Sequence, residues 1–281
     1  ACFDLDSYVL LIDLTEGRRL SARHIVSACG GLISPRVPTI GGLDTCQGNV
    51  IHTARWPDDL DLSDRRVAVI GTGATAVQLI PKIAGKARQL DVYQRTPIWV
   101  LKKPDHSLPG WLKTLFRTVP GLQRTLRGAT DTASETLMVL SAIYYRQAPW
   151  LVRMCEKAGI NNLREQLPNR KDLWEKLTPK YGFGCKRPTF SNDYFRTLGR
   201  DNVDLVTTPI KRITSRGITT DDGRSRRIDT LILATVYKTF EIVNIPLFDV
   251  IDINNYNLCD FWHDYSYQAY EGLKIPAYQN F

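Results

Sequence analysis

The chain has 281 residues, 43% of them hydrophobic and 10% aromatic, with a formal charge of +8; this suits one large globular domain or two smaller ones and excludes a disordered or low-complexity polypeptide. The basic residues are scattered and carry no DNA- or RNA-binding signature, so the charge is read as that of an enzyme handling phosphorylated cofactors, with no nucleic-acid partner. The six cysteines lie far apart, without Cys-x-x-Cys or a nearby His at ligand spacing, which excludes a disulfide framework and a zinc site and suits a reducing, cytoplasmic setting.

In chain order, Tyr8 to Ile12 and Arg19 to Arg23 read as the strands of a hairpin around Thr15-Glu16-Gly17. His24-Ile25-Val26-Ser27-Ala28 reads as a short buried strand ending at Cys29-Gly30-Gly31, and Pro35, Pro38, Gly41 and Gly42 mark an irregular connector. The segment Cys46 to Pro57 precedes a dinucleotide-type unit and is expected to link two domains. Taken alone, His52 and Trp56 within it read as packing residues.

Arg66-Val67-Ala68-Val69-Ile70 is an apolar, β-branched run expected to be a buried parallel strand. Gly71-Thr72-Gly73-Ala74-Thr75-Ala76 follows at once, then a helical pattern, then a second strand at Leu90 to Gln94. The spacing predicts a βαβ unit. Gly71 would permit the tight turn, Gly73 the approach of a pyrophosphate, and Ala76 close packing of helix on strand. The first-turn N–H groups and the positive end of the helix dipole would face the phosphates. The second strand ends in Gln94-Arg95-Thr96 where an NAD site usually carries Asp or Glu. A guanidinium and a hydroxyl there suit a 2′-phosphate, so the site is read as one for NADP(H). Pro81 is expected to kink or shorten the helix and Gly85 to end it.

From Pro104 to Leu177 the pattern is mainly helical. Trp111, Leu112, Leu115, Phe116, Val119, Leu122 and Leu126 form a stripe with Lys113, Arg117, Arg124 and Arg127 between them. The stripe is expected to face a core, in an insertion that covers or shapes a site. Contact with a membrane surface is the less favoured alternative. Tyr181 to Pro188 reads as a tight basic loop, and Asn192-Asp193-Tyr194-Phe195 as the start of a short helix. Strands are expected at Val203 to Val206, Ile210 to Ile213, Gly217 to Thr220 and Asp229 to Thr235, with a turn at Asp221-Asp222-Gly223.

These residues together resemble the flavin-dependent Baeyer–Villiger monooxygenases, relatives of the N- and S-oxygenating flavin monooxygenases. Gly48, His52, Trp56 and Pro57 fall in step with the family's Phe-x-Gly-x-x-x-His-x-x-x-Trp-Pro fingerprint. The Gly71 unit, Gln94-Arg95-Thr96-Pro97, Cys185-Lys186-Arg187-Pro188 and Asn192-Asp193-Tyr194 continue the likeness. The resemblance implies an α/β fold: a Rossmann-like NADP(H)-binding domain with a helical insertion, plus part of an FAD-binding domain. It implies FAD and NADPH as cofactors, with a ketone and O2 converted to an ester or lactone. N- or S-oxygenation is the alternative, and a catalytically incomplete NADP-binding fragment is another. Arg95, Thr96 and Lys186 would hold the 2′-phosphate. Arg187 would lie beside flavin and nicotinamide, stabilising an anionic oxygenated flavin. His52 would act as a hinge or domain-linking residue.

The departures from the pattern are Cys46 for Phe, Cys29 for Thr, and Val236 for the Gly expected after Ala234-Thr235. The Val236 position is unfavourable if the backbone there needs a positive φ. No Gly-x-Gly-x-x-Gly precedes Gly31, and the first residue is Ala1; the chain is expected to be a fragment. The expected organisation is 1–58, partial FAD-domain strands and linker; 59–103, the NADP-binding βαβ unit; 104–178, the helical insertion; 179–235, return of the NADP-binding domain; 236–281, partial return of the FAD domain. Composition and motifs leave the oligomeric state and the particular substrate open.

Overall fold

A computed structural model of the chain describes residues 2–4, 9–26, 28, 30, 32–105, 107–119, 121–142, 147, 149–238, 248–252, 254–266 and 275. Contacts divide it into two units, Ala1–Val37 with Val236–Phe281, and Pro38–Thr235.

In the first unit, β1 (Cys2–Asp4), β2 (Val9–Asp13) and β3 (Arg19–Ala22) form an antiparallel sheet. The hairpin expected between Tyr8 and Arg23 is there, closed by Gly17 N–H donating to the Leu14 carbonyl at 2.9 Å. The buried strand expected at His24 to Ala28 is not. His24 to Val26 carry no strand assignment, and Val26 is 90% exposed. A parallel strand is stable only between neighbours, and no described segment pairs with this one; Ser27, Cys29 and Gly31 lie outside the described residues.

The second unit contains β4 (Asn49–His52), β5 (Arg66–Ile70), α1 (Ala74–Ile83), β6 (Gln89–Tyr93) and β7 (Val100–Leu101). Then come α2 (Gly110–Thr118), α3 (Leu122–Ala142), α4 (Pro149–Gln166) and α5 (Trp174–Leu177). The unit closes with β8 (Thr189–Phe190), α6 (Tyr194–Leu198), β9 (Val203–Val206), β10 (Ile210–Thr214), β11 (Gly217–Thr220), β12 (Ser225–Arg227) and β13 (Thr230–Leu233). Back in the first unit, α7 (Leu258–Tyr265) is capped by the Asn257 side chain, which accepts from Cys259 N–H. It packs Leu258 and Trp262 against Val250 and Ile275.

The central sheet of the second unit has the order β4-β13-β5-β6-β9, and every pairing in it is parallel. Its two faces follow the two-residue period of the strands. Val67, Val69, Leu90, Val92 and Ile232 point to one face, where α1, α4, α5 and α6 cover them. Ala68, Tyr93, Leu231 and Leu233 point to the other, where the β10–β11–β12 meander packs Ile213 and Ile218. Arg226 fastens that meander, donating from Nη1 to buried Asp91 at 3.0 Å and to Asp204 at 2.8 Å. At the other end Asp229 accepts from the Arg66 backbone N–H and forms a two-pronged ion pair with its guanidinium, fixing β13 against β5.

The contact division places residues 38–58 with this sheet rather than with 1–37, because Asn49–His52 is its edge strand. The four residues are too short and mixed to announce a strand. Gly48 is what lets them in: a Cβ there would meet the Asp229 carbonyl oxygen at 2.7 Å. α1 continues only two residues past Pro81, as a missing N–H in the ladder favours. The stripe expected to face a core from α2 does not: no residue of α2 is buried, and Trp111 is 69% exposed. Its neighbours among the described residues do not cover it.

Candidate functional site

A row of paired residues crosses the sheet near its carboxyl ends: His52, Leu233, Ile70, Tyr93 and Val206. The chain leaves these five strands at Thr53, Ala234, Gly71, Gln94 and Thr207. Ligands of open α/β sheets bind outside this edge, and the sequence-derived site residues other than the Lys186–Arg187 pair leave from it.

At the Gly71 turn the backbone requires glycine. Gly71 has φ +115°, and a Cβ would lie 2.5 Å from the Ala234 carbonyl oxygen. Thr72 is buried and its hydroxyl donates to the Thr96 carbonyl at 3.0 Å, tying this turn to the loop after β6. Gly73, Ala74 and Thr75 are exposed, whereas Ala76 is fully buried against the sheet. The first bond within the helix runs from Val77 N–H to the Gly73 carbonyl. The preceding N–H groups therefore open outward, as helix geometry demands. A Cβ on Gly73 would meet nothing within 4 Å, so the space over the helix end is an open cradle.

After β6 an open cleft of about 610 Å³ is lined by Arg95, Thr96, Lys176, Lys180, Tyr181 and Thr207, with Glu175 the one carboxylate. Gln94, largely buried, also lines the cleft and donates through Nε2 to the Lys176 carbonyl at 2.7 Å. This bond sets the end of α5 beside the end of β6. The Tyr181 hydroxyl donates to the Pro97 carbonyl at 2.9 Å, and the Tyr181 carbonyl accepts from Trp99 Nε1 at 3.0 Å. Burial pushes the Tyr181 phenol up from its ordinary value, with Cys185 adding to the shift, which keeps it a donor at neutral pH. The Lys186 ammonium sits over the Tyr181 ring, 4.9 Å from its centre. The basic loop is thus joined to the cleft through one tyrosine. Neither Lys186 nor Arg187 lines the cleft, and Arg187 is exposed on the loop.

His52 ends β4 and is 8% exposed. Its Nδ1 accepts from Ala54 N–H at 3.1 Å, which places the proton of the neutral ring on Nε2, facing the Thr235 hydroxyl at 3.1 Å. Both partners belong to the second unit, and Thr235 is its last residue. Burial pushes the His52 pKa below its ordinary 6.5, outweighing a hydrogen bond to the Thr235 backbone, while Arg55 lowers it further. A depressed folded-state pKa means that the unfolded chain takes up the proton first. The stability His52 contributes is complete above pH 6.5 and is lost as pH falls through the window below it. His52→Gln should flatten that part of the acid limb in urea titrations between pH 7 and 5; an unchanged slope would refute the assignment.

Trp56 is 37% exposed rather than packed. Cys46, in place of the fingerprint's aromatic residue, rests on the apolar cluster of the meander. Val236 is not among the described residues with positive φ; its carbonyl accepts from Arg36 N–H at 3.0 Å, so a β-branched side chain meets no backbone penalty there. Lys176, Lys180, Tyr181 and Thr207 were not singled out from sequence. The one signal was Gln94, a polar residue at a buried strand end that needs a partner.

No protein-family model matches the chain. It is 34% identical over 265 residues to a Baeyer–Villiger monooxygenase of Pseudomonas aeruginosa, an alignment covering 94% of this chain and 49% of that protein. It is 35% identical over 266 residues to the FAD-binding monooxygenase ktnD of Aspergillus niger, covering 95% and 43% respectively. Among solved structures it matches an oxidized steroid monooxygenase bound to NADP with a TM-score of 0.78 at 26% identity, over 99% of this chain and 58% of that one. It matches OTEMO in complex with FAD and NADP with a TM-score of 0.79 at 26% identity, over 99% and 59%. The chain spans about half the length of the curated relatives it matches. Over the half of such a protein that it spans, this chain matches the Baeyer–Villiger monooxygenases in sequence and in fold alike.

Proposed function

We propose that this chain supplies the NADPH-binding half of an FAD- and NADPH-dependent monooxygenase that inserts one oxygen of O2 into a ketone, giving an ester or lactone. The observation that carries the reading is the pairing of an open glycine cradle at the start of α1 with a cationic cleft one strand away, at the end of β6. A dinucleotide with a 2′-phosphate fits both. The α1 N–H groups would take the pyrophosphate. Arg95 and Thr96 would take the 2′-phosphate, with Lys186 brought near by Tyr181. Solved relatives of the same fold are described as bound to NADP and to FAD.

Among the described residues one Gly-x-Gly-x-x-Ala unit is present, Gly71 to Ala76, and it serves NADPH in this reading. When bound, NADPH supplies the hydride and the flavin the oxygen-transfer chemistry. The contribution of this chain is position and charge. Arg187 would present a fixed cation to the reacting end of the cofactors. His52 would hold the exit of β13 by keeping Thr235 in place at the end of the unit.

Arg187→Ala, in a protein carrying this chain and loaded with FAD, should leave NADPH affinity within about threefold while lowering ester formation about a hundredfold or more. Retained ester formation would remove the assignment. The whole reading is tested by product analysis of the same FAD-loaded protein with NADPH and a panel of cyclic ketones. Ketone-stimulated NADPH consumption matched by ester is expected. Oxygenation of amines or sulfides in place of ketones would contradict it.

A further inference from the structure

We propose that α2 and the first turns of α3 form a docking surface for an anionic lipid bilayer, a property separate from the oxygenase reading and independent of it. Two observations carry this. The first is geometric. On α2, Trp111, Leu112, Leu115 and Phe116, continued by Val119, fall on one stripe roughly 140° wide at 3.6 residues per turn. Lys113 and Arg117, one turn apart, lie outside that stripe. α1 and α4 each bury an apolar row in the unit, Val77, Ile80 and Ile83 on the one and Leu151, Cys155 and Leu163 on the other, although α4 also leaves Trp150 and Met154 exposed. α2 buries none: Trp111 is 69% exposed and Leu115 37%, Leu112 and Phe116 are half-buried, and Val119 just past its end and Leu126 on α3 are 43% and 48% exposed. The part of the stripe left in water, with Trp111 at its edge, is unfavourable by the area it exposes.

The second observation is the charge around it. Between Asp105 and Asp131 the sequence has no acidic residue and four cations, Lys113, Arg117, Arg124 and Arg127. An apolar face carrying an exposed Trp, set among Lys and Arg, is the pattern of a helix lying in the headgroup region of a membrane. The charge also selects among occupants. A second copy of this chain would bring the same cations against themselves, whereas anionic headgroups neutralise them and admit the apolar stripe. No helix of the described residues is long and apolar enough to cross a membrane, so the contact is peripheral, lying in the plane of the interface.

The test is flotation of the full 281-residue protein with vesicles. Vesicles of phosphatidylcholine with about 30 mol% phosphatidylglycerol should carry the protein upward, pure phosphatidylcholine should not, and about 0.5 M salt should release it. Lys113→Gln with Arg117→Gln should lower partitioning about 25-fold, each cation contributing about fivefold. Trp111→Phe should retain binding but lose most of the fluorescence quenching caused by brominated lipid. Circular dichroism and the thermal midpoint, unchanged in these variants, separate loss of docking from loss of fold. Absence of vesicle binding, equal binding to neutral vesicles, or quenching that survives Trp111→Phe overturns the proposal. So does self-association without vesicle binding that Trp111→Ser abolishes.

Discussion

Gly73→Ala should leave the protein folded and lower its affinity for NADP(H) at least about tenfold, while Gly71→Ala should do the reverse and strike stability first. The two glycines stand two residues apart in one turn, yet their surroundings differ. Gly73 has φ −71°, within reach of any residue, and a Cβ there meets nothing within 4 Å. The added methyl would occupy the cradle over the α1 terminus, where a pyrophosphate must approach the backbone closely. Gly71 has φ +115° and packs against the Ala234 carbonyl, which a Cβ would approach to 2.5 Å. Forcing an alanine into that conformation, against a backbone atom of the neighbouring strand, should cost about 3 kcal/mol or more. Urea unfolding followed by tryptophan fluorescence, together with NADP+ titration of whatever remains folded, separates the two effects. A Gly73→Ala protein that binds NADP+ normally would remove the pyrophosphate from this turn.

Arg95→Ala should weaken NADP+ about ten- to a hundredfold and leave NAD+ within about twofold, the range expected when a charge-assisted bond to a 2′-phosphate is lost. Arg95 is exposed and lines the cleft after β6, so its removal leaves no buried polar group unpaired and should hardly change stability. The remaining cations, Lys176 and Lys180, cushion the loss, and added salt should shrink the difference between the wild type and the variant. Equal weakening of both dinucleotides would mean that Arg95 acts on the shared pyrophosphate or on the fold, and the 2′-phosphate assignment would fail.

Much of the second unit was legible because strand and helix periods are written plainly between Arg66 and Tyr93. The alternation of Val67 and Val69 with Ala68 even separates the two faces of the sheet. The strand Asn49–His52 was not legible, since four residues with a single apolar pair carry no period, and their place depends on Gly48 lying against Asp229. The segment His24 to Ala28 failed for the opposite reason. Its local pattern is that of a buried parallel strand, but burial is supplied by neighbours, and none of the described residues provides them. α2 shows the same limit: an amphipathic stripe states that something covers it without stating what. In the candidate site, the glycine turn and Arg95 stood out because their chemistry is local. Tyr181 did not, because its role comes from bonds to Pro97 and Trp99, more than 80 positions away in sequence.

Calorimetric titration of the 281-residue protein with NADP+ and then NAD+ bears most directly on its assignment as an NADPH-binding half-enzyme. NADP+ is expected to bind at least about tenfold more tightly than NAD+, and 2′,5′-ADP to compete with it, because the cleft favours the extra phosphate. Equal affinities for the two dinucleotides, or no binding of either, would contradict it.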